Sequence, residues 1–316
     1  MEGNIDLLNN NGVTVDNNTN ESVTDVQMSD VKEKSEEQAS RVPTDPNKIT
    51  VQITDDAPIV LLFGAPSSGK TMTLVRLAYY LYKTKKYSIE VNNLFPTTEI
   101  WEYTENSKKF NTMLETTTAL KGTDRNDFLM IKVIDKFGKL KCQILEGAGE
   151  DYFPKSNPDI ERYKAPFPPY MDGVFTAGRK KVWVFLTEPE WKVSQKDRND
   201  YVKRIEYCKK TYFNKNDKSI ILYNKVDKKL NLLYGQGKVH ISAAQENCKN
   251  EYLGIFDIFE NTSALKFLQD KYTCKFVPFS TGVYSEALDP NERHYTRSHD
   301  LYPTTLWKAI EDCIKG

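Results

Sequence analysis

Gly64-Ala65-Pro66-Ser67-Ser68-Gly69-Lys70-Thr71 fits the pattern G-x-x-x-x-G-K-[ST], and its flanks decide how it folds. Before it, Ile59–Phe63 is an unbroken apolar run, read as a buried strand. After it, Met72–Leu81 carries apolar residues at helical spacing, so a helix over Lys70–Lys83 is expected. A glycine-rich turn between strand and helix lets backbone N–H groups converge on an anion, and the helix N-terminus adds its positive dipole end. Gly64, Ala65, Pro66, Ser67, Ser68, Gly69, Lys70 and Thr71 are therefore candidate phosphate-binding residues. Lys70 would reach the β- and γ-phosphates, and the Thr71 hydroxyl would ligate Mg²⁺. Pro66 lacks an N–H and must sit where no donor is needed. An ordinary Gly/Ser-rich turn is the competing reading.

Outward from this loop, short apolar runs at Phe128–Ile134, Cys142–Leu145, Val182–Leu186, Ser219–Tyr223 and Lys275–Phe279 read as further strands. Helical spacing recurs at Asp200–Phe213, Leu253–Tyr272 and Thr304–Ile314. Strand–helix alternation predicts a three-layer α/β fold with a mostly parallel six-stranded sheet and helices on both faces. Asp135-Lys136-Phe137-Gly138-Lys139 joins two of the runs as a tight hairpin, which supplies one antiparallel strand. There is no internal repeat.

Asn224-Lys225-Val226-Asp227 follows the run Ile220–Tyr223, giving N-K-x-D at a strand end. Open α/β sheets bind ligands at the carboxyl ends of their strands. Asp227 there can accept from both N1–H and N2–H₂ of guanine, a donor pair that adenine lacks. Asn224 would tie the loop to base or phosphate loop, and the Lys225 stem would lie on the base plane. A polar surface turn is the alternative. Ser280-Thr281-Gly282, after another apolar run, could offer backbone N–H to guanine O6.

Composition bounds the rest. Lysine plus arginine and aspartate plus glutamate balance at 44 each over 316 residues, which gives no bulk argument for nucleic acid or an anionic membrane. The first 50 residues hold ten of the acids and only four of the bases, and residues 1–49 contain no Phe, Trp or Tyr. That segment cannot bury enough apolar surface to order itself, and it reads as a solvated tail, with a partner-binding tail as the alternative. The five cysteines are widely spaced and form no C-x-x-C pair, as expected of reduced, buried or half-buried thiols. No apolar stretch approaches the length of a membrane span, and the N-terminus has no leader pattern, so a cytoplasmic protein is expected. His240, His294 and His299 have no metal-ligand spacing, and Trp101, Trp183, Trp191 and Trp307 read as packing residues.

In order along the chain, these motifs resemble those of the Ras-like (TRAFAC-class) P-loop GTPases, over roughly residues 57–316. The long segment before the hairpin and the stretch Gly147–Phe153 are most similar to bacterial GTPases of the double-GTPase type, linked with conflict or signalling systems. The resemblance implies a GTP/GDP-binding, Mg²⁺-dependent GTP hydrolase acting as a molecular switch on an unidentified protein effector or regulator. It implies a domain over residues 50–316 with insertions at 84–127 and 151–178. It puts Gly149 against the γ-phosphate, Glu146 on the metal-bound water and Glu150 in the water-orienting place. Both glutamates depart from the family's aspartate and glutamine, which points to slow hydrolysis or to another residue in the water-orienting role. Thr123 is the first choice for the threonine that closes on Mg²⁺, with Thr116, Thr117 and Thr118 as rivals. A non-hydrolysing GTP-binding scaffold and a P-loop ATPase or kinase remain as alternatives.

Overall fold

The computed structural model describes residues 44–93, 95, 100–115, 118–119, 128–155, 161–189, 191–234, 237–262, 270–285 and 293–316. Most of the expected tail, together with Thr116, Thr117 and Thr123, lies outside the described residues. Among the described residues, Thr44 to Ile49, which precede the expected start at Thr50, already pack on the fold. The Thr44 backbone N–H and hydroxyl donate to the Glu102 carboxylate at 2.7 and 2.8 Å, and Ile49 is buried.

Strand β1 (Ile59–Phe63) leads through the glycine-rich loop into helix α1 (Lys70–Lys83). Then come β2 (Tyr87–Val91), α2 (Trp101–Glu115) and the short β3 (Thr118–Ala119). The hairpin of β4 (Leu129–Asp135) and β5 (Leu140–Glu146) is followed by the one-turn α3 (Gly149–Tyr152) and by α4 (Pro169–Thr176). Next are β6 (Lys181–Thr187), α5 (Gln195–Tyr212) and β7 (Lys218–Tyr223). The remainder comprises β8 (Leu233–Tyr234), β9 (Lys238–Val239), α6 (Ile241–Glu251), β10 (Cys274–Pro278), β11 (Gly282–Ser285), β12 (Arg293–Arg297) and α7 (Leu301–Lys315).

The main sheet runs β10-β7-β6-β1-β5-β4-β2. All neighbours from β10 to β5 are parallel, and β4 is antiparallel to both β5 and β2. The mostly parallel α/β P-loop fold stands as expected, with seven strands rather than six. The added strand is β2. Its residues alternate half-buried and exposed, the pattern of an edge strand with one covered face. Every residue of β1 and β6 is buried, as central parallel strands require.

Aromatic side chains Phe63, Trp183 and Phe185 pack on Phe175 of α4, Tyr201 of α5 and Phe213 just after α5. Helices α1 and α7 pack on one another, and α7 also lies on β7 and β10. Ser194 caps α5 with a reciprocal pair of bonds to Asp197.

The expected helix over Leu253–Tyr272 is not formed in its described part. Helix α6 stops at Glu251, and Gly254 takes a left-handed φ of +82° in the turn that follows, closed by Ile255 N donating to Tyr252 O at 3.1 Å. A single 3₁₀ turn at Asp257–Phe259 follows, and Glu260 bridges Tyr272 as an antiparallel pair. A second sheet, ordered β11-β12-β3, joins the chain after Thr281 to the segment before β4. All five thiols are free, four of them buried. Among the described residues, no helix is long and apolar enough to cross a membrane.

Candidate functional site

The phosphate loop is a tight curl made possible by two left-handed residues, Ser67 at φ +61° and Gly69 at φ +89°. Neither of its flanking glycines has room for a side chain. A Cβ on Gly64 would stand 2.4 Å from Ser68 Oγ, and one on Gly69 would stand 2.5 Å from Asn224 Nδ2. Ser68 Oγ is buried and has no hydrogen-bond partner among the described residues, as suits an atom turned toward a ligand.

Lys70 is almost wholly buried and donates to the carbonyls of Gly64 and Ala65 at 3.1 and 3.2 Å. Burial pulls its ammonium down to about 8, against the opposing pull of Glu146, Glu150 and Asp151. The Thr71 hydroxyl donates to Glu146 Oε1 at 3.0 Å, linking the start of α1 to the end of β5. A hydroxyl and a carboxylate side by side form a hard oxygen donor set that fits Mg²⁺. The described residues include no group of three or more His, Cys, Asp or Glu able to hold a metal alone.

The N-K-x-D turn is fixed to this loop. Asn224 is fully buried, and its Nδ2 donates to Ser68 O at 2.9 Å and to Thr73 Oγ1 at 3.4 Å. Its Oδ1 accepts from Lys225 N at 2.8 Å, and Lys225 is left-handed at φ +56°. Lys225 Nζ donates to Ser67 O at 2.6 Å and pairs with Glu188. Val226 N donates to Phe279 O at 3.2 Å, which brings the buried Ser280 and Thr281 alongside. Asp227 lies half-buried in a 3₁₀ turn, near enough to add to the upward pull that burial exerts on the Tyr302 phenol.

Gly149 is pressed onto the loop. A Cβ there would lie 2.4 Å from both the N and Cα of Pro66, so only glycine fits. Beside it Glu150 is half-buried, Asp151 accepts from Tyr170 Oη at 2.8 Å, and the Tyr152 ring lies beneath the Lys70 ammonium. Arg204 of α5, fully buried, holds the chain that follows. Its guanidinium donates to the carbonyls of Tyr152 at 3.0 Å, Tyr163 at 3.0 Å and Ala165 at 2.5 Å, and stacks on Phe167.

One locus therefore unites Gly64–Thr71, Glu146, Gly149, Glu150, Asn224 and Lys225. Of the candidate closing threonines, only Thr118 is described, as a backbone partner of His294 in the small sheet. Three residues escaped the sequence reading: Glu188, Thr73 and Arg204. An acid at the end of the run Val182–Leu186 marks Glu188, because that strand also ends at the ligand edge. Nothing in spacing marks the other two.

No family model matches the chain, and no curated protein matches it. Among solved structures, it is similar to the signal recognition particle receptor SRβ-GTP/SRX complex from Chaetomium thermophilum. The identity is 13%, the TM-score 0.40, and the match covers 82% of this chain and 99% of that one. The S. cerevisiae Ski7 GTPase-like domain bound to GTP is 14% identical at TM-score 0.40, over 82% of this chain and 50% of that one. A bacterial selenocysteine-specific elongation factor, EF-Sec, is 10% identical at TM-score 0.34, over 83% of this chain and 29% of that one. The chain thus spans half or less of the length of the last two. Likenesses at such identities and TM-scores decide nothing about the site, whose reading rests on this chain's own residues.

Proposed function

We propose that the chain binds guanine nucleotide with Mg²⁺ and hydrolyses GTP slowly, holding different protein partners in its GTP and GDP states. The observation that carries the reading is the bond from Asn224 Nδ2 to Ser68 O, which sets the N-K-x-D turn against the phosphate loop. Asp227 would accept from guanine N1–H and N2–H₂, and the region of Ser280 and Thr281 would face guanine O6. Lys70 and the loop amides would stabilise charge on the γ-phosphate as water attacks in line. Mg²⁺ held at Thr71 and, through water, at Glu146 would neutralise the β- and γ-oxygens. Glu150 can orient that water, but its carboxylate stands beside phosphate charge, which slows the step. Thr123 is the proposed closing threonine.

The reading keeps the part of the expected 1–49 tail that precedes Thr44 outside the nucleotide-binding unit and the protein in the cytoplasm, with no nucleic-acid partner. Kinship with bacterial double-GTPase-type proteins belongs to the same proposal. A non-hydrolysing scaffold is the second reading, favoured by the hold of Arg204 on the chain after Tyr152. Those bonds to Tyr152, Tyr163 and Ala165 are made by protein atoms alone.

Equilibrium binding of labelled GTP and ATP with Mg²⁺ tests the first reading. GTP binds about a hundredfold more tightly, and Asp227→Ala removes the preference. Equal or tighter ATP binding that Asp227→Ala leaves unchanged would return the chain to a generic P-loop protein. Tight GTP binding with no phosphate release in single turnover selects the scaffold.

A further inference from the structure

The nucleotide reading leaves the far edge of the main sheet unused. Helix α1 runs from Lys70 at the phosphate loop to Lys83, about 20 Å along its axis, and two turns meet at that distant end. One is the link from α1 to β2, with Lys85 in a left-handed conformation at φ +55°. The other is the β4–β5 hairpin. Lys136 N donates to Lys86 O at 2.9 Å, so the two turns stand side by side as one tip.

Although the whole chain is neutral, the tip is not. Lys85, Lys86, Lys136 and Lys139 are all exposed on it. Phe137 at the apex is 82% exposed, more than any other large hydrophobic side chain described, and Tyr82 beside the tip is 64% exposed. The Lys136 ammonium lies 4.9 Å from the Phe137 ring centroid. The nearby acids are partly engaged. Asp135 accepts from the backbone N–H of Phe137 and Lys139 at 2.9 and 3.0 Å, shaping the hairpin. Glu311 accepts from Tyr87 Oη, and Asp300 is taken by Arg76 and Lys83. Glu90 on β2 is exposed nearby and subtracts one charge.

We propose that this tip docks on anionic lipid bilayers, with the four lysines at headgroup phosphates and the Phe137 ring at the headgroup–acyl boundary. A projecting apex with an aromatic at its summit fits a flat, soft surface, where aromatic rings settle at the interface. Single-stranded nucleic acid calls instead for a basic groove that tracks the backbone, and the tip is two adjoining turns. Its cations are all lysines, which act as point charges toward headgroups rather than as bidentate arginine forks. Docked this way, the nucleotide site would sit about one α1 length from the bilayer and stay open to partners.

The test is co-sedimentation of the full chain with phosphatidylcholine vesicles and with vesicles that also contain phosphatidylserine. Binding appears only with phosphatidylserine and is lost at high salt. Lys85→Ala and Lys136→Ala each weaken it about fivefold. Phe137→Ser weakens it about tenfold. Each variant keeps the melting temperature and the GTP affinity of the parent, since these side chains are exposed and remote from the phosphate loop. Absence of vesicle binding overturns the proposal, as does binding that the three variants leave unchanged. Capture of single-stranded RNA through the same lysines, with vesicles ignored, also overturns it. None of these outcomes depends on whether the bound nucleotide is GTP.

Discussion

The amide of Asn224 stands 2.9 Å from the Ser68 carbonyl oxygen, so one buried side chain joins the ends of β7 and β1. Asn224→Asp keeps the size of the residue and removes the Nδ2 donor. It leaves Ser68 O facing a carboxylate and lowers stability by about 1–3 kcal/mol. Denaturant unfolding reads that loss, and binding of GTP weakens with it. An unchanged midpoint with unchanged GTP affinity would show that the tie is dispensable.

Gly149 and Gly178 make a matched pair of probes. A Cβ at Gly149 would collide with the Pro66 backbone at 2.4 Å, while one at Gly178 meets nothing within 4 Å. Gly149→Ala therefore moves α3 off the phosphate loop and slows phosphate release. Gly178→Ala stays within about 0.5 kcal/mol of the parent in stability and keeps its activity. Equal behaviour of the two variants would mean that α3 does not bear on the loop.

Lys70 supplies a pH signature with two opposite signs. Its ammonium titrates near 8 in the fold instead of at the ordinary 10.5, because burial disfavours the charge. Between those two values the unfolded chain binds the extra proton, so the Lys70 contribution makes the nucleotide-free protein more stable as pH rises through the window. GTP affinity runs the other way. It falls above pH 8, and binding there takes up a proton, which calorimetry in buffers of different ionisation enthalpy detects. Lys70→Met abolishes both trends, and a parent without either would refute the assignment.

Much of this was legible where independent cues coincided. An apolar run, a glycine-rich turn and a helical stripe abut at residues 59–83, and both β1 and α1 fall on the expected residues. Cues that stood alone misled or were missed. Tyr87–Val91 alternates as an edge strand does, yet it sits within an interval read as an insertion. Helix α2 buries only Glu102, Tyr103, Phe110 and Met113, too few apolar residues to show a stripe. Leu253, Ile255, Phe256 and Phe259 imitate helical spacing, and the left-handed Gly254 among them breaks it. Of the site, the loop motifs were readable because their geometry is local. The partners Asn224–Thr73, Lys225–Glu188 and Arg204–Tyr152 are made by the fold and lie far apart in the chain.

Arg204 offers a mechanical test of the segment after α3. Arg204→Met leaves one buried and two half-buried carbonyls without their donor and destabilises the protein by about 2–4 kcal/mol. Hydrogen exchange rises in residues 152–165 before it rises in β1 or β6. Arg204→Lys, with fewer donors and no planar fork, recovers only part of the protection. Uniform exchange across the molecule would place Arg204 in the general core instead.

The small sheet has a consequence for assembly of the molecule. Thr118 pairs with His294 and Ala119 with Arg293, so its closing ladder joins residues far apart in the chain, with β4 to β11 between them. Such distant pairing forms only after the intervening chain has collapsed, and it is therefore late. Two residue pairs among the described residues are also a slender join, so on heating it parts early. A protease cut in that join would separate the segment before β4 from the chain after Thr281 while the main sheet still stands.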